Sequence, residues 1–188
     1  MELNLEDRGV VTIFGGHACV GKTSVMLKMF FDSYSTNNEK TVIFTNSVKH
    51  ITRKVNKVFN DSVNNSNIII KHIDYNYDLD DVFSFLKKHN NTIVNIIIDD
   101  MFLKVKDLLE LSVKTNCKVI STAQLNKCML SGESTVSLSQ DVDVLINKGL
   151  LETYLISKNG NFINLKHNNI EEESFEFDFE TLSIIKNK

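Results

Sequence analysis

The sequence predicts an α/β fold: a mainly parallel sheet flanked by helices, with an antiparallel β extension at the carboxyl end. Three observations predict it. Short β-branched runs alternate with helical patterns up to about residue 150, a Gly-rich turn joins the first run to a helix, and from Leu151 the pattern turns purely β.

Taken in order, Val10-Val11-Thr12-Ile13-Phe14 reads as a buried strand, and the apolar stretch 24–31 as a helix. A polar connection at 35–40 leads to a second strand, 41–45. Ser47 is a suitable N-cap for a helix over 48–59, whose Val48, Ile51, Val55 and Phe59 recur at helical spacing, with Lys49, Arg53, Lys54 and Lys57 on a solvated face. A strand over 67–73 and a helix over 79–89, capped by Asp78, follow. Residues 92–100 form an apolar strand ending in Asp99 and Asp100, then come a helix at 103–114 and a strand at 117–124. The Ser- and Thr-rich segment 125–140 has no periodicity and is expected to be a mobile loop, with a further core strand at 141–146. A hairpin is expected from 151–157 and 162–166 about a turn at 158–161. In 174–180, strict alternation puts Phe175, Phe177 and Phe179 on one face as core. The chain thus divides into a core at 1–150 and an extension at 151–188 packed on the same domain.

With 188 residues there is room for little besides this one fold. A net charge of -3 gives no overall attraction for nucleic acid, so such binding needs a local patch. Cys19, Cys117 and Cys128 are too far apart for a metal knuckle, and their odd number suits a reducing compartment. The acidic first residues, and the lack of any apolar run near the ~20 residues of a membrane helix, lead us to expect a cytoplasmic protein without membrane contact. Arginine occurs only as Arg8 and Arg53.

The turn Gly16-His17-Ala18-Cys19-Val20-Gly21-Lys22-Thr23 satisfies G-x-x-x-x-G-K-[ST], a pattern that points to a nucleoside triphosphate. Its glycines, with Gly15, permit the positive φ angles and close approach by which successive N–H groups wrap a phosphate. Lys22 reaches the β and γ phosphates, Thr23 offers its hydroxyl to Mg²⁺, and the helix through Ser24 aims its positive end at the anion. The strand ending at Asp99 delivers an acid to the carboxyl edge of the sheet, where ligands sit, and Asp99 is the expected Mg²⁺ ligand. Gln124, at the end of the 117–124 strand, is a candidate γ-phosphate sensor.

This order of landmarks resembles the RecA-like P-loop ATPases, and most closely the motor domain of DnaB-type hexameric replicative helicases. Asn95 to Asp99 looks like that family's Mg²⁺ strand. Ser121-Thr122-Ala123-Gln124-Leu125-Asn126-Lys127 is similar to its A-L-S-Q-L-N-R stretch, and Ser137-Leu138-Ser139-Gln140-Asp141-Val142-Asp143 to its S-I-E-Q-D-A-D stretch. The resemblance implies ATP and Mg²⁺ as ligands and places the Gln124 strand between the phosphate-loop and Mg²⁺ strands. Leu155-Ile156-Ser157-Lys158-Asn159-Gly160 looks like the strand carrying the family's K-x-R finger, which reaches a neighbouring subunit's site.

The chain departs from this pattern at three points. Where the family has F-S-L-E, with the Glu that polarises the attacking water, Phe44-Thr45-Asn46-Ser47 carries no carboxylate, leaving Asp100 as a substitute base or an exposed turn acid. The finger keeps Lys158 but has Gly160 in place of the arginine. The loop 125–140 offers the single cation Lys127, so single-stranded DNA would be held weakly.

Two readings follow. One is a minimal ATPase, working singly or as a homo-oligomer, that couples slow Mg²⁺-ATP hydrolysis to work on DNA in replication or recombination. The other is a hydrolysis-poor ATP-binding accessory that docks on a replicative helicase or another partner. Two arginines argue against a nucleotide kinase, and Met129, where a guanine-reading Asp would stand after Asn126-Lys127, argues against GTP.

Overall fold

The computed structural model describes residues 11–34, 39–58, 67–74, 77–89, 92–99, 105–124, 140–168 and 170–187. The β-branched runs give β1 (Val11–Gly16), β2 (Lys40–Thr45), β3 (Ile68–His72), β4 (Ile93–Asp99), β5 (Lys118–Gln124) and β6 (Leu151–Asn159), all paired in parallel. Then β7 (Phe162–His167), β8 (Glu171–Asp178) and β9 (Ser183–Asn187) add on antiparallel. One sheet results, in the order β3-β2-β4-β5-β1-β6-β7-β8-β9. As the resemblance implies, β5 lies between β1 and β4.

Helices α1 (Lys22–Tyr34) and α2 (Val48–Val58) cover one face, where Val25, Met26, Phe30, Ile51 and Val55 meet Phe14, Ile43, Ile97, Ile120 and Tyr154 of the strands. On the other face, α3 (Leu79–Lys88) and α4 (Val105–Thr115) bring Val82, Leu108 and Leu111 onto Val42, Phe44, Ile96, Ile98 and Val119. Ile96, Ile97 and Ile98 alternate between these faces, so a run that reads as uniformly apolar serves two cores. Asp78 caps α3 as expected, its carboxylate accepting from the backbone N–H of Asp80.

One element differs in kind. The strand expected at 141–146 is a helix, α5 (Gln140–Asn147). Leu145 and Ile146, neighbours in sequence, both pack on the second core; a strand would send them to opposite faces. The helix is closed by Gly149 at φ 68, whose N–H donates to the Ile146 carbonyl, while the Leu150 N–H donates to that of Leu145, which is a Schellman cap. Gly149 is the sequence signal for this helix, a stop just past its last turn.

The hairpin is tighter than expected. Asn159 pairs with Phe162, leaving the two-residue turn Gly160-Asn161, with Gly160 at φ 62. Phe175 and Phe177 are buried as expected; Phe179 packs half-buried against the same core but from the turn after β8, and β9 is a strand that the sequence pattern did not suggest. Residues 125–139 of the expected mobile loop lie outside the described residues, and Gln140 begins α5.

Candidate nucleotide site

β1 ends at Gly16 and α1 begins at Lys22, so the strand, loop and helix order predicted for 10–31 is present. Gly21 takes φ 92 and Cys19 takes φ 62, the positive angles by which a loop turns its N–H groups inward. A Cβ on Gly16 would stand 2.6 Å from the Ile156 carbonyl oxygen, so the loop is seated against β6 too closely for any side chain. The Lys22 ammonium donates to the His17 carbonyl across 2.7 Å and so lies over the loop. His17 is half-buried, Ala18 and Cys19 are exposed, and Val20 packs at the edge of the first core.

Asp99 reaches this loop from β4. It is 3% exposed, and its Oδ1 accepts from Thr23 Oγ1 at 2.7 Å and from Thr122 Oγ1 of β5 at 3.1 Å. Thr23 thereby commits its proton to the carboxylate and keeps its oxygen lone pairs. A hydroxyl and a carboxylate side by side are hard oxygen donors suited to Mg²⁺, which takes one or two protein ligands and completes its shell with phosphate and water. Among the described residues no group of three His, Cys, Asp or Glu gathers to hold a metal, so a cation here would depend on those outside oxygens. The residues therefore fit a Mg²⁺-nucleotide.

Gln124 is the strand partner of Gly16 and is exposed at the carboxyl edge beside the loop. Asp100 lies outside the described residues. Lys158 is exposed near the end of β6, its ammonium 4.4 Å from the centre of the Phe179 ring of the same chain.

Two neighbours of the site were not anticipated. The Phe179 ring lies against the phosphate loop, so that a Cβ on Gly21 would come within 2.3 Å of it. The turn holding it is fixed by Asp178, which accepts from the N–H groups of Glu180 and Thr181, and by Lys57 Nζ, which donates to the Glu180 carbonyl at 2.7 Å. The other neighbour is Lys54 of α2, whose ammonium donates to Ser24 Oγ. Burial lowers its pKa, against an opposing pull from the Asp99 charge, while Lys57 adds to the lowering. His50, one turn earlier, is also lowered, first by burial and then by Lys54. The signal for Lys54 was its position: three residues after Ile51 and four before Val58, it falls on the apolar side of α2.

No protein-family model and no curated protein sequence matches the chain. Among solved structures, it is similar to one determined as an ATPase domain, with a TM-score of 0.64 and 14% identity, covering 96% of this chain and 86% of that one. A DnaB-like replicative helicase, determined in a study of its interactions with primase, matches with a TM-score of 0.62 and 15% identity over 96% of this chain and 59% of its own. The RadB recombinase matches with a TM-score of 0.58 and 13% identity over 94% of this chain and 90% of its own. With β5 between β1 and β4, a Gly-rich loop between β1 and α1 and an acid ending β4, the chain has the fold of the RecA-like P-loop ATPases.

Proposed function

We propose that this chain binds Mg²⁺-ATP through Gly16 to Ser24 and Asp99, and that it is a slow ATPase related to replicative helicase motor domains, working in the cytoplasm on DNA replication or recombination. The observation that carries this is the Thr23–Asp99 hydrogen bond of 2.7 Å, which brings together the hydroxyl and the carboxylate that a Mg²⁺ ion would take as neighbouring donors. Lys22 supplies charge to the β and γ phosphates, and Gln124 beside Gly16 senses the γ phosphate. Slow turnover follows from the residues that would speed it. Ser47 stands where the general base is expected, and Arg53 is on the exposed side of α2, so an arginine finger worth about 10³-fold or more has no source near this site among the described residues. Asp100 is the candidate base, and single-stranded DNA, a second copy or a replicative helicase are the candidate partners.

The second reading is a hydrolysis-poor ATP-binding accessory that regulates a helicase. The position of Lys158 favours it: an ammonium held over Phe179 of its own chain is not extended towards a neighbour's site.

Fluorescent ATP binding and phosphate release, measured on wild type, Lys22→Ala and Asp100→Asn with and without single-stranded DNA, test both. Binding lost in Lys22→Ala supports the nucleotide site. DNA-stimulated turnover abolished by Asp100→Asn supports the motor, and retention of nucleotide with no turnover supports the accessory.

A further inference from the structure

Four cations lie along α2, and one is drawn inward. Lys49, Arg53 and Lys57 are exposed, whereas Lys54 is half-buried between Ile51 and Val55, both buried. Its hydrogen-bond partner is the hydroxyl of Ser24, itself 2% exposed, in the first turn of α1. A neutral hydroxyl compensates poorly for withdrawing an ammonium from water, and a lysine stem is long enough to reach solvent instead. Ser24 directly follows Thr23, which is bonded to Asp99, and the Asp99 charge favours the charged form of Lys54 against the effect of burial. Lys22 and Lys54 therefore approach the start of α1 from two sides, one from the loop and one from the neighbouring helix.

We propose that Lys54 is a second cation of the nucleotide site, carried by the chain, which offsets part of the triphosphate charge and the Asp99 charge and so keeps nucleotide bound when Mg²⁺ is removed. The proposal rests on the nucleotide reading above. Its ligand class is a polyphosphate ester, since the charge addresses phosphate and not the base. A metal ion and a tethered ammonium do overlapping work here: with Mg²⁺ present Lys54 adds little, and without it the ammonium on Ser24 is a cation beside the start of α1.

The test is a titration of the full chain with a fluorescent ATP analogue, with Mg²⁺ and again with a chelator, on wild type, Lys54→Met, Lys54→Arg and Lys22→Ala. Chelation should weaken wild type by less than about tenfold. Lys54→Met should lose about a further tenfold or more under chelation, as expected for removing one partly buried cation near a polyanion, and less than about threefold with Mg²⁺. Lys54→Arg should behave as wild type. Without nucleotide, Lys54→Met should melt no lower than wild type, because it removes a half-buried charge with a neutral partner. Equal binding by Lys54→Met and wild type under chelation overturns the inference, as does an equal loss in both conditions accompanied by a lower melting temperature. If Lys22→Ala binds as tightly as wild type, the nucleotide reading fails and takes this inference with it; if Lys22→Ala alone loses binding, only the role of Lys54 fails.

Discussion

Thr23 and Asp99, which lie far apart in the sequence, share a hydrogen bond of 2.7 Å at the carboxyl edge of the sheet. The contact exists because β5 intervenes between β1 and β4, and Thr122 of that strand donates a second hydroxyl to the same oxygen. Asp99→Asn keeps the shape and removes the charge. Its affinity for nucleotide should no longer improve on adding Mg²⁺, and calorimetric titration with and without the metal reads this directly.

Tyr154 is buried and stacked between Phe14 and His167, with ring centres 4.9 and 4.6 Å away, and its hydroxyl has no hydrogen-bond partner among the described residues. Tyr154→Phe should leave urea unfolding unchanged or raise stability by up to about 1 kcal/mol. Burial, with the charges of Glu152 and Glu173, raises the Tyr154 pKa above the usual tyrosine value. A raised pKa in the folded state means stability that is complete below the unfolded value of about 10 and is lost as pH climbs beyond it. Wild type should therefore weaken steeply above about pH 10, and Tyr154→Phe less so, in unfolding titrations across that range.

Gly21 and Phe179 constrain one another. At φ 92 any side chain on Gly21 is strained, and its Cβ would meet the ring 2.3 Å away. Gly21→Ala should lower stability by about 1–2 kcal/mol. Phe179→Leu should recover the steric share but not the backbone share. A double-mutant cycle in urea should thus give a coupling of about 0.5 kcal/mol or more, and strict additivity would show that the ring yields freely.

Gly149 ends α5 in the left-handed region, and the space around its missing Cβ is open. Gly149→Ala therefore carries a backbone penalty with no clash, about 1 kcal/mol in thermal or urea unfolding. A larger loss would mean that the cap also sets where β6 begins.

These sites mark how far the sequence could be read. The turn joining β1 to α1 was legible because strand, Gly-rich turn and helix are consecutive, and Asp99 at the end of β4 because an apolar run ending in an acid is a local pattern. The placement of β5 came with the resemblance, since strand order depends on contacts between distant segments. Helix α5 differs from the expected strand because Leu145 and Ile146 share one core, and the sequence signal for it is the stop at Gly149. Lys54 and Phe179 differ in another way: Lys54 borders the apolar side of α2 among exposed cations, and Phe179 reads as one more member of a core stripe. What gives them meaning is Ser24 and Gly21, brought beside them by the fold.

The register of β1 has a bearing on how the chain assembles. Val11 pairs with Val119 on one side and Leu151 on the other, so the strand bearing the phosphate loop finds neither neighbour until most of the polypeptide has been synthesised. Closing such long loops is slow, so the pairing of β1 with β5 and β6 belongs to the contacts of high sequence separation that set the pace of folding.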